Sequence, residues 1–148
     1  IGANAFKNTK WLKSQKGDFT SVGKNLISYN KKIKKSTKNK TVKVPEGTLS
    51  IADGVFHDAA MKKIPAVKSI VLPESVKYIA ADSFYCPSLK SINIGSKVKE
   101  INTEFDGCEN LTVKVEKSNK YALKWAKKWK KNCNSYGMKK VKYTTYKK

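Results

Sequence analysis

Arginine is absent from this chain of 148 residues, although lysine occurs 32 times and the formal charge is +21. Arginine is the side chain that reads bases and phosphates bidentately, whereas lysine is a flexible, strongly hydrated point charge. Sequence-specific recognition of nucleic acid is thereby disfavoured, and diffuse attraction to any polyanion is not. Histidine occurs once, at His57, and cysteine three times, at Cys86, Cys108 and Cys133. An odd, small number of cysteines spaced 22 and 25 apart makes neither a disulfide framework nor a zinc motif. No apolar run approaches the roughly 18 residues that a membrane-spanning helix needs, and no glycine-rich phosphate-binding loop is present. The length suits one domain with a core of its own.

The charge is unevenly placed. Lys7 to Lys43 carries 12 lysines against Asp18, and Lys114 to Lys148 carries 13 against Glu116. Between them, Val44 to Val113 holds 7 lysines and 9 acids and is nearly neutral. That neutral part is where the sequence repeats itself. Ile70-Val-Leu72-Pro-Glu-Ser-Val76-Lys-Tyr-Ile79 returns as Ile92-Asn-Ile94-Gly-Ser-Lys-Val98-Lys-Glu-Ile101, every apolar position displaced by 22. Cys86 and Leu89 return at Cys108 and Leu111 with the same offset, and Phe84 returns at Phe105 with an offset of 21. A short period of this kind predicts a solenoid.

Each repeat reads as an alternating apolar pair, a turn, and then V-x-x-I. Alternation places Val42 and Val44, Ile70 and Leu72, Ile92 and Ile94, and Val113 and Val115 on the inner face of parallel strands, one per repeat. Pro45 and Pro73 end two of those strands, where a missing amide costs no ladder bond. Ile1 to Phe6 matches Ile51 to Phe56 and Ile79 to Phe84, so the chain opens inside a repeat, and we expect it to be the C-terminal piece of a longer protein. The register then breaks. Leu12 reaches Val42 only after thirty residues, where Leu89 reaches Ile92 after three. Within that excess, Phe19–Val22, a Gly-Lys-Asn turn and Leu26–Tyr29 read as a β-hairpin, followed by a lysine-dense loop over 31–43. A smaller insertion near Met61 to Ala66 separates Ile51 from Ile79 by 28. After Val115 a helix is expected, capped by Ser118 or Asn119, with Tyr121, Ala122, Trp125, Ala126 and Trp129 on one face and lysines over the rest. Gly137 reads as its stop and Met138 to Tyr146 as a last strand.

The pattern L-x-x-I-x-I-P-x-S-V-x-x-I-x-x-x-x-F-x-x-C resembles the BspA-type leucine-rich repeats of bacterial surface proteins. Gly95 stands where the repeat has proline, and Thr9 and Ala59 stand where it has cysteine. The resemblance implies a right-handed leucine-rich-repeat solenoid, mostly parallel β-sheet and loop, with an inserted β-hairpin and a C-terminal capping helix. One domain is expected over 1–148, with repeats at about 1–12 and 42–115, an insertion at about 13–41 and a cap at about 116–148. It further implies a secreted or surface-attached bacterial protein that binds protein or glycan, as in adhesion, with no catalytic activity, metal or cofactor.

The residues offer few alternatives. Cys86 and Cys108 lie on successive repeats and read as buried thiols in a packing column, although the strand spacing alone does not forbid a bridge. His57 reads as a surface residue in a turn. Glu46 and Glu74 share a position because both follow the turn proline, which makes them products of the repeat before any acid–base pair. The helix with Trp125 and Trp129 either covers the last repeat or lies on a membrane. Two candidate surfaces follow. On the sheet, Lys43, Val71, Asn93 and Lys114 face outward, with Thr41, Ser69, Ser91 and Thr112 beside them. Two basic arms, with Lys31, Lys32, Lys34 and Lys35 on the insertion and Lys124, Lys127, Lys128 and Lys131 on the helix, are the alternative, suited to teichoic acid, sulfated glycan or nucleic acid as polyanions. The repeats as an appendage of a larger secreted enzyme are a third reading.

Overall fold

The structure, a computed structural model, describes residues 5–6, 8–30, 41–57, 67–135, 137–138 and 140–148. In chain order its elements are α1 (Lys10–Ser14), β1 (Phe19–Val22), β2 (Asn25–Tyr29), β3 (Thr41–Lys43), β4 (Ser50–Ile51), β5 (Phe56–His57), β6 (Ser69–Val71), β7 (Tyr78–Ile79), β8 (Phe84–Tyr85), β9 (Ser91–Ile94), β10 (Glu100–Ile101), β11 (Thr112–Glu116), α2 (Lys120–Ser135) and β12 (Lys142–Tyr146).

The four alternating apolar segments, joined by β12, form a five-stranded parallel sheet in the order β12-β11-β9-β6-β3. Register follows the sequence offset: Val42 pairs with Ile70, Ile70 with Ile92, and Ile92 with Val113. All four are buried, because a period of two puts their side chains on the inner face together. One strand per repeat was expected, and the repeat makes more. The V-x-x-I segments form a second sheet, β1-β2-β4-β7-β10, and the Phe segments β5 and β8 pair as a third. His57 therefore lies in a strand opposite Tyr85 rather than in a turn. Strands of two residues are too short to carry an alternation that a sequence reading can detect.

The antiparallel pair β1–β2 joins this second sheet, with Leu26 beside Ile51 in parallel register. The same backbone bond recurs along the stack: Leu49 N–H to Lys24 O, Lys77 N–H to Leu49 O and Lys99 N–H to Lys77 O, each 2.8 Å. Strand β2 thus takes the place of a repeat's own V-x-x-I strand, and the hairpin is built into the wall instead of projecting as an arm. Residues 31–40 and 58–66, which include the lysine-dense loop and the smaller insertion, lie outside the described residues.

Inside runs a file of aromatic rings. Phe19, Tyr29, Phe56, Phe84 and Phe105 follow one another with ring centroids 5.1 to 5.4 Å apart, and Phe105 meets Trp125 and Trp129 at 5.9 Å each. Tyr29 of β2 supplies the ring that a preceding repeat would contribute as Phe. Burial and the Asp18 charge push its hydroxyl up to about 12. Cys86 and Cys108 are buried and form no disulfide; the Cys86 thiol donates to Phe56 O at 3.1 Å. Burial pushes the Cys108 thiol up to about 11.

Helix α2 begins at Asn119, whose Oδ1 accepts the Ala122 N–H at 2.9 Å. Ala122, Ala126, Trp129 and Cys133 are its buried side, and Trp129 Nε1 donates to Glu104 O at 2.9 Å. Tyr121, expected on that side, is 43% exposed, because it sits at the rim of the apolar stripe with its hydroxyl accepting the Ile101 N–H at 3.0 Å. Both tryptophans of α2 face protein, Trp129 buried and Trp125 half-buried and stacked on it at 5.7 Å. Among the described residues no helix is long and apolar enough to cross a membrane.

Candidate binding face

The outer face of the β12-β11-β9-β6-β3 sheet is made of the residues that alternate with its core. Lys43 pairs with Val71, and Asn93 with Lys114, which pairs with Thr144; two positions earlier Thr41, Ser69, Ser91, Thr112 and Lys142 form a second row. Small polar side chains in register bond to one another: Ser91 Oγ donates to Ser69 Oγ at 2.8 Å. Asn93 turns toward the neighbouring strand, where its Nδ2 donates to Leu72 O at 2.9 Å and its Oδ1 accepts the Leu72 N–H at 2.8 Å. Strand β6 has ended by then and Pro73 has no amide to offer, so the Asn93 amide acts as a surrogate peptide group. Its polar atoms are already engaged, and it shapes the face more than it offers a free donor.

At the end of these strands lies an open groove of about 570 Å³. Ser69, Val71, Ser91, Asn93 and Lys114 line it, together with Glu46, Glu74, Tyr146 and Lys148. The expected face residues Lys43, Thr41 and Thr112 lie on the same sheet outside that lining. Val71 is 39% exposed, an apolar patch amid polar neighbours. The Tyr146 hydroxyl reaches over β11 to Ile94 O at 3.4 Å. Its pKa is raised chiefly by burial, a hydrogen bond from the Asn93 side chain opposing and the charges of Glu74 and Glu116 adding to the rise. Glu74 accepts from Ser96 Oγ at 2.9 Å and Ser96 N–H at 3.3 Å, and Lys148 Nζ stands 3.6 Å from its other oxygen.

Glu74 and Tyr146 were not legible as groove residues. Glu74 carried one signal, its recurrence with Glu46 after the turn proline; Tyr146 carried none, since its place depends on β12 returning beside β11. Of the basic residues, Lys124, Lys127, Lys128 and Lys131 are exposed on α2 and do not line the groove, whereas Lys31, Lys32, Lys34 and Lys35 lie outside the described residues. A second depression of about 170 Å³ on the other sheet is lined by Asn25, Ser50, Tyr78, Glu100 and Asn102 among others. Among the described residues no three His, Cys, Asp or Glu side chains gather as a metal site would require.

Strands that pair with their own counterparts one repeat later, over a buried file of leucine, isoleucine and phenylalanine, define a stacked leucine-rich-repeat architecture. The BspA type leucine rich repeat region matches residues 1–134 in 6 copies, and the chain belongs to that family. No curated protein and no solved structure matches it. Repeat regions of this type typically serve protein interaction at surfaces.

Proposed function

We propose that this chain is a non-enzymatic binding module of a secreted or surface-attached bacterial protein, recognising protein or glycan through the outer face of its β12-β11-β9-β6-β3 sheet, as in adhesion. On this reading the stack is a right-handed solenoid, the β1–β2 hairpin an insertion that serves as one of its rungs, and α2 with β12 its C-terminal cap. The observation that carries the reading is the groove of about 570 Å³, to which the repeat itself delivers Ser69, Val71, Ser91, Asn93 and Lys114. A rigid ladder presents these side chains at fixed spacing with little entropy to lose on binding. Val71 gives the apolar contact, while Tyr146 adds a ring with a polar tip, a residue type enriched at interfaces.

The test is a binding screen of the chain on printed oligosaccharides and immobilised extracellular-matrix proteins, at about 0.15 M and about 1 M salt. Recognition by the sheet survives the higher salt and is lost in Val71→Asp. Retention of every salt-resistant contact by both Val71→Asp and Ser91→Lys would refute the assignment to this face, and turnover of any printed sugar would refute the non-enzymatic reading.

A further inference from the structure

The lysines of α2 are not arranged to stabilise the helix. Lys120, Lys124, Lys127, Lys128 and Lys131 are all exposed. At 3.6 residues per turn they fall within an arc of about 100° and run roughly 16 Å along the axis. They stand at i, i+4 from one another as Lys120/Lys124, Lys124/Lys128 and Lys127/Lys131, and like charges at that spacing each destabilise a helix by about 0.2–0.5 kcal/mol. The first turn holds no acid, and Lys120 sits there against the positive end of the helix dipole. No Asp or Glu follows Glu116 anywhere in the chain, so the segment brings no carboxylate of its own to this stripe. A charge row that opposes its own helix is explained by a partner that neutralises it.

What the stripe lacks narrows the partner. Base stacking and membrane insertion both need exposed aromatic rings. Trp125 and Trp129 are turned onto Phe105, which leaves Tyr121, exposed but tied by its hydroxyl to the Ile101 N–H, as a single ring beside the stripe where a row of rings would be needed. Arginine, which would grip phosphate bidentately, is absent. Lysines about 6 Å apart along the axis match a flexible strand with a phosphodiester in each short repeat. We propose that the Lys120–Lys131 stripe of α2 is a docking site for a linear polyol phosphate, a polyanion without bases. This site is separate from the sheet groove, and its success or failure leaves that assignment untouched.

The probe is poly(glycerol phosphate) immobilised for biolayer interferometry, with oligo-dT and phosphatidylglycerol vesicles as comparison arms. The test variant is Lys120→Gln/Lys124→Gln/Lys128→Gln, and the control, Lys13→Gln/Lys90→Gln/Lys97→Gln, removes equal charge from exposed positions elsewhere. The stripe variant is expected to bind at least about tenfold more weakly, with a log–log salt slope shallower by about 2, given about 0.7 per neutralised phosphate of a single strand. Its melting temperature is expected to equal or exceed that of the unmodified chain, since like-charge pairs are removed; a fall would contradict the electrostatic premise. Unchanged affinity in the stripe variant, equal weakening in the control, or oligo-dT or vesicles bound as tightly as the probe would each overturn the proposal.

Discussion

The side-chain amide of Asn119 donates to the carbonyl oxygen of Gly95 at 2.8 Å, and to that of Val98 at 2.9 Å, while its oxygen caps the first turn of α2. One buried side chain thus satisfies the helix start and two carbonyls of the turn between β9 and β10. Asn119→Ala removes a cap worth about 1 kcal/mol and leaves buried acceptors bare at about 1–3 kcal/mol. A loss of about 2–4 kcal/mol is expected by urea denaturation. Asn119→Asp, which keeps the cap but not the donors, should lose the larger part of it.

Gly95 also accounts for the missing proline of its repeat. A Cβ there would stand 3.0 Å from the Glu74 carboxylate, which is held over the turn by Ser96. Gly95→Ala is expected to cost about 1 kcal/mol, as overpacking does. In a Glu74→Ala background the same change should be nearly neutral, and a double-mutant cycle on denaturation midpoints measures the difference.

Glu116 is buried at the end of β11 and accepts from the Ser118 hydroxyl and, at 2.7 Å, from the Ser118 N–H. The Ser118 hydroxyl bond is the main cause that holds its pKa below the usual 4.5, against the opposing effect of burial. A carboxyl depressed in the folded state contributes stability that is fully present above its unfolded pKa and is lost as pH falls through the folded one. The melting-temperature difference between the native chain and Glu116→Gln should therefore be constant from neutral pH down to that range and shrink below it.

Phe84 lies between Phe56 and Phe105 in the aromatic file, stacked at 5.2 and 5.3 Å. Phe84→Ala should destabilise by about 3–5 kcal/mol, measured by chemical denaturation, and Phe84→Leu by clearly less.

Cys86, Cys108 and Cys133 are buried and form no disulfide, and burial raises the pKa of both Cys108 and Cys133. Thiolate is the reactive form, so an aromatic disulfide reagent at mildly alkaline pH should titrate none of them in the native chain and all three after unfolding without reductant.

The first sheet could be read from sequence because its strands carry plain apolar alternation at offsets of 22 from Ile70 to Ile92 and 21 from Ile92 to Val113. The outward set Ser69, Val71, Ser91, Asn93 and Lys114 followed from the same alternation. What could not be read depends on contacts between distant residues. Leu26 gives no sign that it stands beside Ile51, and Glu74 gives none that it lies against Gly95. The irregular last repeat is a further case. Ile101 reaches Phe105 in four residues where Ile79 takes five to Phe84, and the ring keeps its place because Phe105 adopts a left-handed φ of 56°. Gly107, with φ 73°, then passes so near the Tyr85 ring that a Cβ would meet it at 2.8 Å.

The recurring bond from Lys24 to Leu49, Lys77 and Lys99 ties each rung only to its neighbours. On the solenoid reading proposed above, the molecule behaves as a one-dimensional array, in which a break at one rung need not travel. A core substitution placed at the middle rung, near Ile79, should uncouple the two ends and turn a single melting transition into two, whereas the same substitution at a terminal rung should merely shorten the array that melts as a unit.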